Sequence, residues 1–182
     1  MVEYSPGKQT IIEMEPKSES MKPDPSRKMI LAIDPGSSSG AIAVYNALTE
    51  CIEEVVKMPK HVSEIGTLFQ TLKSKAYLQG LTPEAILEKV GFHREGNSAT
   101  ASVTFGKHVG HLEMALFMLD IPCELVTPKK WQMVTSPNPK DKALRKTHIW
   151  DQVNRWYPGL KCFKYAADAV GILRWYLIRR KG

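Results

Sequence analysis

The stretch that decides the fold is Met29-Ile-Leu-Ala-Ile-Asp34-Pro-Gly36, which is followed closely by Gly40-Ala-Ile-Ala-Val-Tyr45. Its first run is short, continuous and apolar, which is typical of a buried strand, and the Pro-Gly pair ends that strand. A second apolar run follows after a short turn. Two strands joined by so short a turn predict an antiparallel hairpin. Asp34 then lies at the end of a buried strand.

Alternating elements follow this hairpin. The sequence predicts a third strand near 50–59, helices over 61–79 and 98–119, strands at 85–90 and 121–126, and final helices over 141–156 and 165–180. Residues 129–139, around Trp131, are predicted to form a loop. A hairpin-rich start followed by alternating elements predicts an α/β fold with a mixed β-sheet flanked by α-helices.

The first 28 residues differ in composition from the rest of the chain. They contain four prolines, little apolar periodicity and balanced charge. We therefore predict a flexible N-terminal tail over 1–28, ahead of a single domain over 29–182.

Charge is distributed unevenly along the 182 residues. Residues 29–106 carry a net charge of −2, whereas residues 107–182 carry +8. A basic half beside an acidic half indicates a polyanionic partner such as nucleic acid, and a solvated basic surface explains the charge equally well.

Two classes of protein are disfavoured by composition. No apolar run approaches the ~20 residues of a membrane-spanning helix, so we expect no membrane partner. The three cysteines are widely spaced, which argues against a disulfide scaffold or a structural zinc ribbon. Without a signal-peptide pattern, we expect a cytoplasmic protein of a bacterium or of a phage-infected host cell, and the sequence leaves an organelle open.

Three acidic residues occupy positions where the pattern calls for apolar ones. Asp34 ends the first strand, Glu88 lies inside the fourth, and Asp168 lies on the apolar side of the last helix. Buried carboxylates are costly unless they are paired or coordinated, so three on separate elements predict a shared cation. Hard oxygen ligands without histidine or cysteine suit Mg²⁺ or Mn²⁺. Separate roles remain open: a turn cap for Asp34, an edge-strand position for Glu88, and a salt bridge for Asp168.

Four motifs, in order, resemble the RuvC-like Holliday junction resolvases, and within them the phage and organellar branches. They are the opening hairpin; Ile86-Leu-Glu-Lys-Val90 with Thr104-Phe-Gly106 and Gly110 after it; Pro122 to Val126 with Thr127-Pro-Lys-Lys-Trp131; and Ala167-Asp-Ala-Val-Gly-Ile172. The match spans about 29–180. The resemblance implies a ribonuclease-H-like fold, a homodimer, and Mg²⁺-dependent nicking of four-way DNA junctions, with Mn²⁺ as a substitute.

The resemblance also implies roles for individual residues. Asp34, Glu88 and Asp168 match the acidic positions of the family, as catalytic and metal-binding residues. Two metals would clamp the attacking water and the leaving 3′ oxygen, so no Ser or His nucleophile is required. The family usually carries a fourth ligand, Asp or His, three residues before the last acidic residue. That position is Tyr165 here, a poor Mg²⁺ ligand, which marks it as a replaced fourth ligand.

DNA contacts are predicted in two regions. The basic side chains expected to contact phosphates are Lys107, Lys129, Lys130, Lys140, Lys142, Arg145 and Lys146, of which roughly half simply solubilise helix faces. The loop after the second acidic strand contributes Phe92, His93 and Arg94, since in resolvases this loop enters the junction centre. Phe92 is expected either to stack on an unpaired base or to pack under its own loop.

Three functions fit the sequence. The first is a structure-selective endonuclease that resolves branched DNA by paired nicks. The second is a catalytically weakened protein that binds branched nucleic acid, which Tyr165 favours. The third is a fragment of an actin-like ATPase or sugar kinase, a class that shares this hairpin but needs a second phosphate loop and a second domain.

For the endonuclease we expect a dimer, with the apolar face of the 98–119 helix as its contact, through Leu112, Leu116 and Met118.

Overall fold

The computed structural model describes residues 24–36, 39–89, 91 and 98–181. Its strands are β1 (Asp24–Asp34), β2 (Ala41–Asn46), β3 (Cys51–Lys57), β4 (Leu81–Glu88) and β5 (Cys123–Val126). Its helices are α1 (Val62–Leu78), α2 (Ala99–Met118), α3 (Pro128–Trp131), α4 (Lys142–Trp156) and α5 (Ala167–Lys181). None of the helices in this part of the chain is long and apolar enough to cross a membrane.

Several boundaries differ from those predicted, including the starts of β4 at Leu81, predicted at 85, and of α5 at Ala167, predicted at 165. Strand β1 begins at Asp24, five residues before the predicted start, because Asp24–Lys28 continues the pairing of β1 with β4 across a register shift. The predicted loop over 129–139 is wrong in its first half, since it holds most of α3 and a 3-10 helix over Gln132–Thr135. Thr127-Pro128 starts this helical segment, because proline at the first helical position has no N–H to leave unpaired.

The five strands form one mixed sheet in the order β3-β2-β1-β4-β5. The pairs β1–β2 and β2–β3 are antiparallel, whereas β1–β4 and β4–β5 are parallel. The predicted hairpin and mixed sheet are confirmed. This topology puts the carboxyl ends of β1, β3, β4 and β5 at the same edge of the sheet.

Helices cover both faces of the sheet. One buried cluster joins the sheet to α4 and α5, and includes Ile30, Ala32 and Ile86. A second cluster on the other face joins the sheet to α1 and α2. Because side chains alternate between faces along a strand, Asp34 continues the row of Ile30 and Ala32, and Glu88 continues that of Ile86. Both carboxylates are therefore on the face that α5 covers.

Helix α5 packs closely against Trp131, which is fully buried. A Cβ atom at Gly171 would lie only 2.7 Å from Cζ3 of that indole. Glycine therefore leaves the space that the Trp131 ring occupies against the middle of α5.

Replacing Gly171 by Ala is expected to destabilise the protein by about 1–3 kcal/mol, because the added methyl group overpacks a closed contact. The matched control is Gly66→Ala in α1, where an added Cβ meets no atom within 4 Å. That change should stabilise the protein by roughly 0.5–1 kcal/mol through helix propensity alone. Urea unfolding of both variants measures the change in the free energy of unfolding, which should be a decrease for Gly171→Ala and an increase for Gly66→Ala. Equal stabilisation by both changes would contradict the packing of Trp131 against α5.

Candidate active site

One pocket at the carboxyl edge of the sheet brings the three predicted acidic residues together. Asp34 from the end of β1, Glu88 from the end of β4 and Asp168 from the first turn of α5 all line it. The pocket has a volume of about 490 Å³. Its other lining residues are Gly36, Ser39, Pro128, Gln132, Lys142, Arg145, Lys146 and Ile149. The three carboxylates thus line one pocket, and their shared cation and catalytic role stay predictions.

A tight turn fixes the chain next to Asp34. The N–H of Gly40 donates to the carbonyl oxygen of Gly36 at 2.6 Å. A Cβ at Gly40 would lie 2.3 Å from that same oxygen, so only glycine fits there. The N–H of Gly36 also points to Oδ1 of Asp34, at 3.4 Å. The turn therefore places Ser39 and Gly36 on the rim of the pocket beside the carboxylate.

Asp34 is a buried carboxyl, with 8% of its surface exposed. Burial raises the pKa of Asp34 to about 8, and the neighbouring carboxylates of Asp168 and Glu88 contribute to the rise. Lys146 acts in the opposite direction on the same pKa, as does the N–H of Gly36. Burial is thus the main reason that Asp34 keeps its proton, and the two neighbouring carboxylates add to the effect.

Glu88 is held by a tryptophan. Its Oε1 accepts a hydrogen bond from Nε1 of Trp131 at 2.7 Å, and both residues are buried. The indole is itself fixed by α5 through Gly171, so the carboxylate is oriented by a rigid partner. Sequence reasoning noticed the Thr127–Trp131 motif and gave its tryptophan no role. The edge-strand explanation for Glu88 is wrong, because β4 lies between β1 and β5.

The predicted phosphate-binding residues divide into two groups. Lys142, Arg145 and Lys146, from the start of α4, line the same pocket as the carboxylates. The others are exposed and do not line it: Lys107, Lys129, Lys130 and Lys140. The loop residues Phe92, His93 and Arg94 lie outside the described residues.

Tyr165 is not among the residues that line the pocket. It belongs to a 3-10 helix over Lys164–Ala166, because α5 begins only at Ala167. Its ring stacks on Phe163, with centroids 5.5 Å apart, and Lys57 Nζ lies 5.7 Å from its centroid. The structure therefore gives Tyr165 aromatic and cationic neighbours.

The donor set fits a hard divalent cation in chemistry. Carboxylate oxygens are the ligands that Mg²⁺ and Mn²⁺ prefer, and the charges of Asp168 and Glu88 contribute, after burial, to the raised pKa of Asp34. Across 24–36, 39–89, 91 and 98–181, no three His, Cys, Asp or Glu side chains lie close enough together to form a ready-made metal site. A divalent cation at these carboxylates would take its remaining ligands from water, as Mg²⁺ commonly does.

The comparisons with known proteins find matches in fold and none in sequence. No protein-family model matches the chain, and no curated protein matches its sequence. Among solved structures, T. thermophilus RuvC in complex with Holliday junction substrate matches with a TM-score of 0.59 and 19% identity, over 85% of this chain and 95% of that one. The fold is that of RuvC. A second Thermus thermophilus RuvC structure matches at a TM-score of 0.54 and 20% identity, over 84% and 95% of the two chains.

The RuvC likeness confirms the ribonuclease-H-like α/β class that the sequence predicted. It also confirms the predicted resemblance at the level of the fold, and the covered share of the chain agrees with the motif match over about 29–180. Within this RuvC fold, the three acidic motifs lie on one pocket although they are far apart in sequence.

The raised pKa of Asp34 predicts a pH-dependent stability in the absence of divalent metal. Between about 4 and about 8 the folded protein keeps a proton that the unfolded chain has lost. The contribution of Asp34 to the free energy of unfolding therefore falls as pH rises through this window, by at most about 1.4 kcal/mol per pH unit. Asp34→Asn should flatten this slope and be more stable than wild type at pH 8. Urea unfolding in EDTA from pH 5 to 8 measures the free energy of unfolding of both proteins. The same dependence on pH in wild type and Asp34→Asn would contradict the raised pKa of Asp34.

Proposed function

We propose that this chain is a metal-dependent DNA endonuclease that cleaves branched DNA, with four-way junctions as its main substrate. One observation carries the proposal. Asp34, Glu88 and Asp168 come from three separate elements and line one pocket of a RuvC fold, together with three cationic side chains of α4.

The two kinds of charged side chain in the pocket suit different parts of a nuclease substrate. The three carboxylates suit a divalent cation, whereas Lys142, Arg145 and Lys146 suit the phosphates of a DNA strand. All three cations lie in the first two turns of α4, where the helix dipole adds partial positive charge. A phosphodiester bound in this pocket by the cations would lie in the same cavity as the carboxylates. Because the RuvC neighbour is described with a Holliday junction substrate, branched DNA is the first substrate to test.

Asp34, Glu88 and Asp168 are the residues that would hold Mg²⁺, with Mn²⁺ as a substitute. A bound divalent cation would offset the charge on the phosphate and lower the pKa of a water that attacks it. The protein's part is to keep Glu88 oriented through Trp131, to keep Asp34 at the end of a rigid strand, and to exclude bulk water from both buried carboxylates. No serine or histidine nucleophile is required.

The test is cleavage of end-labelled synthetic DNA by the full chain in Mg²⁺. Four-way, three-way, flap and linear substrates of matched arm sequence are compared in single turnover. We expect nicks on the four-way junction, in symmetric pairs near the branch, and little cleavage of the linear duplex. Binding without cleavage on any substrate would support the catalytically weakened alternative, and neither binding nor cleavage would overturn the proposal.

We further propose that the active form is a homodimer, because paired nicks across a two-fold junction need two sites related by a two-fold axis. The contact predicted for Leu112 and Leu116 is wrong, since both are buried against the sheet. Met118 is exposed, and so is a stripe along α2 that includes Val103, Met114 and Phe117.

Met114→Glu with Phe117→Glu is expected to convert the dimer to a monomer, because two charges replace apolar contacts at one interface. Light scattering at micromolar concentration measures the mass, and single-turnover cleavage reports how many strands are cut. The control is Leu78→Glu on α1, where the leucine is 87% exposed. A wild-type monomer with full paired nicking would contradict this proposal.

A further inference from the structure

A stacked pair of aromatic rings, of which one is exposed and one is partly buried, lies in the connection that leads into α5. Phe163 and Tyr165 stack nearly parallel, with an interplanar angle of 8° and centroids 5.5 Å apart. Phe163 is 66% exposed, so most of its ring is open to solvent although it stacks on Tyr165. We call these two residues the aromatic platform.

Cations flank the aromatic platform. Lys57 Nζ lies 5.7 Å from the centroid of the Tyr165 ring. Lys164 lies between the two aromatic residues in sequence and is exposed, and its Nζ donates to Oγ1 of Thr147 in α4 at 2.7 Å. An open aromatic ring bordered by cations suits a ligand that alternates flat apolar units with negative charge. A DNA strand with an unpaired base is such a ligand.

Two connections place the aromatic platform next to the pocket. Its residues lead directly into α5, whose first turn carries Asp168. On the other side, Lys57 ends β3 at the same sheet edge as Asp34, and the next residue, Met58, donates its N–H to the carbonyl oxygen of Gly40 at 3.0 Å. The platform therefore borders the turn that carries Ser39 into the pocket.

The platform is also held rigidly. Trp150 in α4 donates from Nε1 to the carbonyl oxygen of Cys162 at 2.9 Å, one residue before Phe163. With the bond from Lys164 to Thr147, this fixes the segment to the same helix whose start lines the pocket with cations. A preorganised surface loses little conformational freedom when a base stacks on it.

We propose that the aromatic platform binds an unpaired nucleobase of the strand whose phosphate lies in the acidic pocket, and so determines which branched DNA is preferred. This inference rests on the proposed function. It makes Phe163 a specificity-determining residue, because its open face is the stacking surface, and Tyr165 the residue that supports it.

The test compares two four-way junctions that differ at one nucleotide. One carries a single unpaired adenine at the branch, and the other carries an abasic site there. Affinity is measured by fluorescence anisotropy in EDTA, so that cleavage does not interfere. Wild type should bind the adenine junction about 5- to 150-fold more tightly, which corresponds to about 1–3 kcal/mol of stacking.

Three variants make the test specific. Phe163→Ala should bring the affinity ratio close to one, whereas Phe163→Tyr should keep it. Tyr77→Ala is the matched control, because Tyr77 is also an exposed ring with a lysine, Lys73, 5.5 Å from its centroid, but lies in α1 near the opposite edge of the sheet. Thermal unfolding checks that each variant folds. We expect Phe163→Ala to fold, because Phe163 is largely exposed.

The outcomes separate the two proposals. If wild type binds both junctions equally, or if Phe163→Ala keeps the full ratio, the platform proposal is overturned while branched-DNA binding stands. If wild type binds neither junction, the proposed function is overturned, and the platform proposal, which depends on it, is overturned as well.

Discussion

Asp34→Asn is expected to lower junction cleavage by more than about 100-fold while leaving junction affinity within a few-fold of wild type. Asparagine keeps the volume of the side chain and removes the charge that holds a metal. Loss of a residue that merely supports a metal ligand typically costs about 10–100-fold, so loss of a ligand itself should cost more. Junction binding depends on the cations of α4, so we expect it to persist when cleavage is lost.

Single-turnover cleavage and anisotropy on the same junction measure the two effects separately. The matched control is Asp120→Asn, an exposed carboxyl just beyond α2 with φ of 50°, a conformation that asparagine tolerates. That variant should cleave at the wild-type rate. Wild-type cleavage by Asp34→Asn would remove Asp34 from the catalytic set.

Replacing Lys142, Arg145 and Lys146 together by Gln is expected to weaken junction binding by at least about 100-fold near physiological salt. Each is expected to make a charge-assisted contact with a phosphate, and such contacts contribute about 1.5–3 kcal/mol. The loss should be similar on four-way, three-way and linear DNA, because phosphates carry no sequence or branch information.

The salt dependence distinguishes lost contacts from misfolding. The slope of log K against log salt should decrease by roughly 0.9 for each phosphate contact removed. Arg155→Gln, in the last turn of the same helix, is the control and should leave the slope unchanged. Weaker binding with an unchanged salt slope would show that these side chains do not contact phosphates.

The fold was predictable because local signals in this sequence agree with one another. The run Met29–Asp34, the Pro-Gly stop and the second apolar run predict the hairpin, and the sheet contains it with Asp34 facing Ala41. The start of β1 was not predictable, because Asp24–Lys28 is polar and becomes a strand only through pairing with β4. That pairing is a tertiary contact that no local pattern reports.

The candidate site was predictable as a set of acidic residues, and its supports were not. Asp34, Glu88 and Asp168 are visible in the sequence because each interrupts an apolar pattern. The contact between Trp131 and Glu88 joins residues 43 positions apart and has no periodic signature. Phe163 was missed for a similar reason, since an isolated aromatic in a short connection is recognised as a platform only beside Tyr165 and Lys57.

The most direct measurement for the central claim is the Mg²⁺ dependence of single-turnover cleavage of a labelled four-way junction. Wild type is compared with Asp34→Asn, Glu88→Gln and Asp168→Asn, each checked for folding and for junction binding. The predicted result is paired nicking by wild type that requires Mg²⁺, stops in EDTA and is lost in all three variants while binding persists. Nicking that continues in EDTA, or that survives all three substitutions, would contradict the assignment of this pocket as a metal-dependent nuclease site.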